Sequence, residues 1–269
     1  MAKERLDALL VSQGLVASRE RAKRMIMAGE VLVDEQKVDK AGTLVRKEAI
    51  IRLLVRDIPY VSRGGLKLEK AINSFSLNLS GKSAADIGAS TGGFSDCMLQ
   101  HGVCKVFAID VGYGQLAWQL RTDARIINME RTNIRNVTLE DLGEALDFIS
   151  IDVAFISLTK VLGVVRSLLK ENGEVVALIK PQFEAGREHV GKKGVVKDPK
   201  VHEAVIEEII RFSREIGFFP TELTFSPVKG PEGNIEYLVH LMCSADEEQC
   251  VQMSQVAEVV DAAHTSLDK

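Results

Sequence analysis

The chain has 269 residues, 46% of them hydrophobic, and a formal net charge of −4; this is a globular composition, long enough for one large core and a small extra domain. No apolar run approaches the roughly 18 to 20 residues that cross a bilayer, and the opening MAKERLD is too charged for a secretory signal, so a cytoplasmic protein without a membrane partner is expected. Cys97, Cys104, Cys243 and Cys250 form no C-x-x-C pair and the histidines are scattered, which argues against a disulfide framework and a zinc site and leaves no metal expected.

The charge is uneven along the chain. Residues 1–56 carry 12 Lys/Arg against 8 Asp/Glu, a net of +4, so the remainder sums to −8; such an asymmetry marks a candidate RNA-binding module. Leu6, Leu9, Leu10 and Leu15 predict a first helix and its exit. Ser18 caps a second that carries Arg19, Arg21, Lys23 and Arg24 outward with Ala22, Met25 and Ile26 inward, and Gly29 ends it. Glu30 to Asp34 and Ala49 to Val55 read as strands. Through Arg5-Leu6-Asp7, Ser18-Arg19, Ala22, Ile26 and Gly29-x-Val31-x-Val33-Asp34, this segment resembles the RNA-binding domain shared by ribosomal small-subunit protein four, some pseudouridine synthases and tyrosyl-tRNA synthetases. That resemblance implies recognition of RNA shape and backbone, with Arg5, Arg19, Lys23 and Arg24 on phosphates; a basic, solvated helix face is the bland alternative. The domain is expected over 1–58, with a linker at Arg56-Asp-Ile-Pro59.

The second domain, expected over 59–244, begins with a helix containing Leu66 to Ile72. An apolar strand then runs into Asp86-Ile-Gly88-Ala-Ser90-Thr-Gly92-Gly93 and an amphipathic stretch from Phe94 to Gln100. Glycines at such a turn let a ligand approach the backbone, and the helix start offers free N–H groups. The spacing is neither G-x-G-x-x-G nor G-x-x-x-x-G-K-[ST], so NAD and ATP are disfavoured. Val103 to Ile109 is a second strand whose tip, Asp110, either accepts ribose hydroxyls or caps a turn. Arg125 to Asn128 is a third strand, Leu146 to Ile151 a fourth ending in Asp152, Val161 to Leu169 a helix, and Glu174 to Ile179 a fifth strand ending in Lys180. A long helix (Val201 to Ile216), strands at Pro220 to Ser226 and Ile235 to Met242, and a helical tail over 245–269 complete the chain. This βα alternation predicts an α/β, doubly wound sheet with ligands beyond the carboxyl ends of its strands.

That rule puts Asp110, Asp152 and Lys180 on one rim, although Asp152 could cap a helix near Ser157 and Lys180 could belong to the basic loop that continues through Arg187, Lys192 and Lys193. Lys67 is unremarkable on an amphipathic helix, whereas Glu236, inside Ile235-x-Tyr237-Leu-Val239, needs a partner if buried. The D-x-G-x-x-x-G-G turn is similar to the one that holds S-adenosylmethionine in class I (Rossmann-like) methyltransferases. The quartet Lys67, Asp152, Lys180 and Glu236 resembles the tetrad of RNA ribose 2′-O-methyltransferases of the RrmJ/FtsJ type. Tyr60-Val-Ser-Arg63-Gly-Gly-Leu-Lys67-Leu, Asp110-Val-Gly-Tyr-Gly-Gln-Leu-Ala-Trp118, Phe155-Ile-Ser-Leu158, Lys180-Pro-Gln-Phe-Glu184 and Gly230-Pro-x-Gly-Asn-x-Glu236-Tyr237 are similar to the TlyA family, whose members are often labelled hemolysins.

The resemblance implies cytidine 2′-O-methylation of ribosomal RNA, with ribosomal subunits as partner and no obligate protein partner. Gly88, Ser90, Gly92 and Gly93 are expected around the methionine part of the cofactor, Asp110 at its ribose, and Glu130 and Thr132 near adenine. Arg63, Arg187, Lys192 and Lys193 are further RNA-contact candidates, the last three on a loop that is either an RNA clamp or a plain surface loop. A ribose hydroxyl is a poor nucleophile, so Lys180 is expected as base, Lys67 as its neighbouring cation or the hydroxyl's holder, and Asp152 and Glu236 as orienting groups. The rivals are an RNA-binding or ribosome-assembly factor without catalysis, a small-molecule methyltransferase and a membrane-active hemolysin.

Overall fold

The computed structural model describes residues 3–16, 18–54 and 58–268 and divides the chain into two units, residues 1–59 and 60–269. The first unit contains β1 (Lys3–Arg5), α1 (Leu6–Ser12), α2 (Arg19–Met27), β2 (Val31–Val33), β3 (Gln36–Lys37), β4 (Leu44–Arg46) and β5 (Ile51–Leu53). The Ser18 hydroxyl accepts the Arg21 N–H at 3.3 Å and starts α2, as a serine N-cap should. Leu6, Leu10, Ala22, Ile26 and Val31 close the core beneath the two helices. Strands β3-β2-β5 pair antiparallel, and β1 pairs with β4. Of the strand expected over 49–55, Ile51–Leu53 forms β5; its last residue, Val55, lies outside the described residues, as do Arg56 and Asp57 of the expected linker.

Arg5 and Arg19, expected on phosphates, are also tied to a carboxylate of the fold. Asp7 is fully buried, and its carboxylate accepts Arg5 Nε and Nη2 at 3.0 Å each and Arg19 Nη2 at 3.1 Å. These hydrogen bonds hold the Asp7 carboxyl well below the usual carboxylate range. Both guanidinium groups therefore serve the fold of this unit first, whereas Lys23 and Arg24 stand exposed on α2.

The second unit is built from α3 (Gly64–Ser74), β6 (Ser83–Ile87), α4 (Gly93–Gln100), β7 (Lys105–Ile109), α5 (Trp118–Arg121), β8 (Ile126–Met129), α6 (Leu139–Leu142), β9 (Leu146–Ile151), α7 (Leu162–Leu168), β10 (Leu169–Ile179), α8 (Pro181–Glu184), α9 (Pro199–Glu215), β11 (Phe219–Phe225), β12 (Tyr237–Met242) and α10 (Met253–Leu267). Its seven strands lie in the order β11-β12-β10-β9-β6-β7-β8. The central strands are buried on both faces, which is why they read as near-continuous apolar runs. Alternate residues feed two cores: Val175, Ala177 and Ile179 pack with α7, α9 and α10, while Val176 and Leu178 pack with α3 and α4.

Two features were not expected. Strand β12 runs antiparallel to both β10 and β11, so its start, not its end, lies at the rim where β6, β9 and β10 finish; Tyr237 pairs with Ile179. The helical tail expected over 245–269 forms α10, and its Val256, Val260 and Ala263 are fully buried in the larger core rather than lying outside it. No helix among the described residues is long and apolar enough to cross a membrane.

Candidate active site

Strand β6 passes between β7 and β9 and is followed by Gly88, whose φ is +83° and where a Cβ would stand 2.5 Å from the Asp152 carbonyl oxygen. Only glycine allows both the left-handed turn and this contact between the tips of β6 and β9. At Gly93, a Cβ would meet the Ser62 Oγ at 2.3 Å and the Gly65 backbone nitrogen at 2.9 Å. The beginnings of α4 and α3 thus touch, and α3 carries Lys67 over the rim.

Four charged side chains converge there. Lys67 Nζ donates to Glu236 Oε2 at 2.6 Å and lies 3.8 Å from Asp152 Oδ2, while Lys180 Nζ stands 2.5 Å from Asp152 Oδ1. Glu236 is 1% exposed, and the lysine side chains are 11% exposed or less. Buried charges of this kind persist only when paired, and here the two carboxylates and two ammonium groups alternate as Glu236–Lys67–Asp152–Lys180. Asp152 follows β9 and Lys180 follows β10, but Glu236 precedes β12; the antiparallel direction of β12 is what brings it to the same rim. Neither Asp152 nor Lys180 takes its bland alternative. Ser157 caps the turn at Leu158–Lys160, and Lys180 lies within the ion-pair chain.

Two cavities adjoin this chain. One of about 260 Å³ is lined by Arg63, Lys67, Asp86, Ser90, Gly93 and Asp152, and one of about 430 Å³ by Asp110, Gln115, Thr132, Asn133, Asp152 and Phe155; both include Gly88 and Ser90. The larger has apolar walls in Ile109, Val111, Ile134, Val153 and Ile156 with a few polar groups, as nucleoside pockets do. Asp110 accepts the Ser90 N–H at 2.7 Å and the Gly112 N–H at 2.6 Å, so it fixes the glycine-rich turn while facing the cavity.

Not every expected residue lines these cavities. Glu130 accepts the Gly114 N–H at 2.8 Å and pairs with Arg121, and it borders neither space. Gly92, φ +95°, also lies outside; a Cβ there would meet Leu120 Cδ1 at 2.2 Å, so packing against α5 is its constraint. Arg63 is exposed at the smaller cavity, whereas Arg187, Lys192 and Lys193 are exposed on the segment before α9 and border neither.

Two residues were passed over as site candidates. Asp86 opens the glycine-rich motif and is almost fully buried; burial pushes its carboxyl up to about 7, against the Ser95 N–H and hydroxyl that donate to it at 2.8 and 2.7 Å, and the Asp152 charge adds to the rise. Its position inside an apolar run was the available signal. Phe155 is 90% exposed with φ +63° and its ring 5.1 Å from that of Phe183. A phenylalanine in the left-handed region is strained, a mark of functional sites that propensity reading does not register.

The profile of FtsJ-like methyltransferases matches residues 60–243, and that of the S4 domain matches residues 4–51. The chain belongs to the FtsJ-like methyltransferase family. Its sequence is 49% identical over 268 residues to YqxC of Bacillus subtilis, covering 98% of this chain and 95% of that one. It is 40% identical over 243 residues to the 16S/23S rRNA (cytidine-2′-O)-methyltransferase TlyA of Mycobacterium tuberculosis, covering 90% and 91%. A solved Streptococcus thermophilus chain superposes with a TM-score of 0.79 at 45% identity, covering all of this chain and 98% of that one. In this FtsJ-like chain the S4 match falls within the first unit and the methyltransferase match within the second.

Proposed function

We propose that this protein transfers a methyl group from S-adenosylmethionine to the 2′-hydroxyl of a ribose in ribosomal RNA, a cytidine as in the TlyA relative. The observation that carries the reading is the ion-pair chain Glu236–Lys67–Asp152–Lys180 beside a nucleoside-sized cavity. The cavities suit the cofactor. The larger has the apolar walls and sparse polar groups that an adenosine needs, with Asp110 for ribose hydroxyls and Thr132 nearby; the smaller, polar one offers Asp86, Ser90 and Gly93 to the charged methionine part. When bound, the cofactor supplies an electrophilic methyl on a sulfonium.

The chain's own residues supply alignment and a place for the proton. The target hydroxyl has to lie in line with that methyl and lose its proton late in the transfer. To act as base Lys180 must first release its own proton to solvent; the neutral amine then takes the hydroxyl proton, and the ammonium so regenerated stands beside the Asp152 carboxylate. Lys67, held by Glu236, presents a second cation to the ribose oxygen. Arg63 at the cavity mouth, Lys23 and Arg24 on α2, and Arg187, Lys192 and Lys193 before α9 engage RNA phosphates as positioning contacts. Two compact units support a division of labour in which residues 1–58 bind RNA and the rest carries the chemistry, α10 included.

The reading is tested by incubating purified ribosomal subunits with methyl-labelled S-adenosylmethionine and the full chain. Label in an alkali-resistant dinucleotide supports ribose methylation. Label on a base, or no transfer by protein that binds the cofactor, contradicts it.

A further inference from the structure

Glu236 is flanked by two residues tied to Val196 of the basic segment, Asn234 directly and Tyr237 through His202. On one side Asn234, 1% exposed, accepts the Val196 N–H on Oδ1 at 3.0 Å and donates from Nδ2 to the Gly194 carbonyl at 2.8 Å. On the other, the Tyr237 hydroxyl is 2.7 Å from Nδ1 of fully buried His202, whose Nε2 is 3.0 Å from the Val196 carbonyl. A carbonyl only accepts, so Nε2 carries the proton and Nδ1 accepts from Tyr237; His264 Nε2 approaches that Nδ1 at the longer distance of 3.2 Å. Val196 is itself buried, although Lys192, Lys193 and Lys197 around it are exposed.

The Asn234 main chain also shapes the pocket of Glu236. Its carbonyl accepts the Gly230 N–H at 2.9 Å, closing a turn that packs on the carboxylate; a Cβ at Gly230 would lie 2.6 Å from Glu236 Oε1. Strand β12 needs none of these contacts for its own ladder, because it begins at Tyr237 and pairs with β10 and β11. They fix instead the residues just before the strand and the side chain of its first residue, Tyr237. An asparagine is suited to this, since its amide offers one acceptor and one donor to two backbone groups of a neighbouring segment without adding a charge beside Glu236.

Resting on the tetrad reading above, we propose that Asn234 is a positioning residue: it anchors the Glu236–Lys67 pair to the backbone of the basic segment at Gly194 and Val196. The carboxylate is thereby held at Lys67 by the same segment that presents Lys192 and Lys193 to RNA.

A double-mutant cycle in the full chain tests this, using labelled methyl transfer to purified ribosomal subunits for kcat and KM and calorimetry for S-adenosylmethionine binding. Asn234→Ala is expected to lower kcat by about tenfold or more, with KM and cofactor stoichiometry nearly unchanged, and to cost little further in a Glu236→Gln background, as coupled residues do. An equal factor in both backgrounds overturns the proposal, as does a loss matched by a fall in cofactor-binding stoichiometry. If Glu236→Gln alone transfers at the native rate, the tetrad reading fails and the proposal with it, and that arm identifies which has failed. Asn234→Asp, which retains an oxygen for the Val196 N–H, serves in the same cycle if the alanine variant does not fold.

Discussion

Asp86 is a buried carboxyl at the floor of the smaller cavity, held up to about 7 by desolvation. Its ordinary value is 3.8, so between those two values the folded chain keeps a proton that the unfolded chain releases. Stability therefore falls as pH rises from about 4 to about 7, by roughly 4 kcal/mol at most. Asp86→Asn should flatten this dependence in thermal unfolding followed across that range; an unchanged slope would remove Asp86 as its cause. Asp7 has the opposite sign. Its depressed carboxyl contributes stability that is present above its unfolded value and is lost as pH falls through the folded one. Asp7→Asn should destabilise the first unit by about 1–3 kcal/mol, seen as an earlier unfolding transition, with S-adenosylmethionine affinity unchanged. At this scale much of the site was legible in sequence, because a charged residue directly after or inside an apolar run is costly to bury without a partner. Lys67 was the exception. Its place on the buried face of α3 depends on Gly93 lacking a side chain where the starts of α3 and α4 touch, and on Gly65 leaving room for Tyr60, tertiary contacts that helical periodicity does not encode.

Among the elements, the strand-to-helix turn after β6 tolerates least change. Gly88→Ala puts a Cβ 2.5 Å from the Asp152 carbonyl in a left-handed backbone. It should cost on the order of 1–3 kcal/mol from strain and weaken cofactor binding, measurable by calorimetry; native affinity would mean that β6 and β9 separate without consequence. The order and kind of strands β6 to β10 followed from their apolar runs and breakers. The direction of β12 did not, because an apolar run carries no sign of parallel or antiparallel pairing. That direction is what places Glu236 on the rim. The short strands β1, β3 and β4, two or three residues each, fell below any periodic signal. The helical character of the tail was legible, but that Val256, Val260 and Ala263 of α10 fill the core beneath β11 and α9 was not, because helical spacing does not name the surface a helix packs on. Ending the chain after residue 244 should abolish cooperative unfolding of the second unit in a denaturant titration, since each buried valine contributes roughly 1.5–3 kcal/mol; a sharp native-like transition would contradict this packing.

For the molecule as a whole, charge asymmetry outweighs net charge. The first 56 residues are net positive by 4 within a chain of net −4, and an acidic total does not oppose RNA binding when the cations are gathered in one unit. Reversing Lys23 and Arg24 to glutamate should weaken ribosomal-subunit binding and reduce its salt dependence while leaving cofactor affinity unchanged; equal salt slopes for native and reversed chains would place the RNA contacts elsewhere. Both units were legible in outline from composition and helix patterning. How Arg5 and Arg19 divide their donors between Asp7 and solvent was not, since a cation on a helix face looks the same in sequence whether it meets phosphate or a buried carboxylate.

The most direct measurement is the single-turnover rate of methyl transfer to ribosomal subunits for the native chain and Lys180→Ala, each saturated with S-adenosylmethionine. The proposed chemistry requires the rate to fall by about 100-fold to 10,000-fold with cofactor affinity preserved. A Lys180→Ala chain that methylates the same ribose at the native rate would contradict the role given to the Glu236–Lys67–Asp152–Lys180 chain.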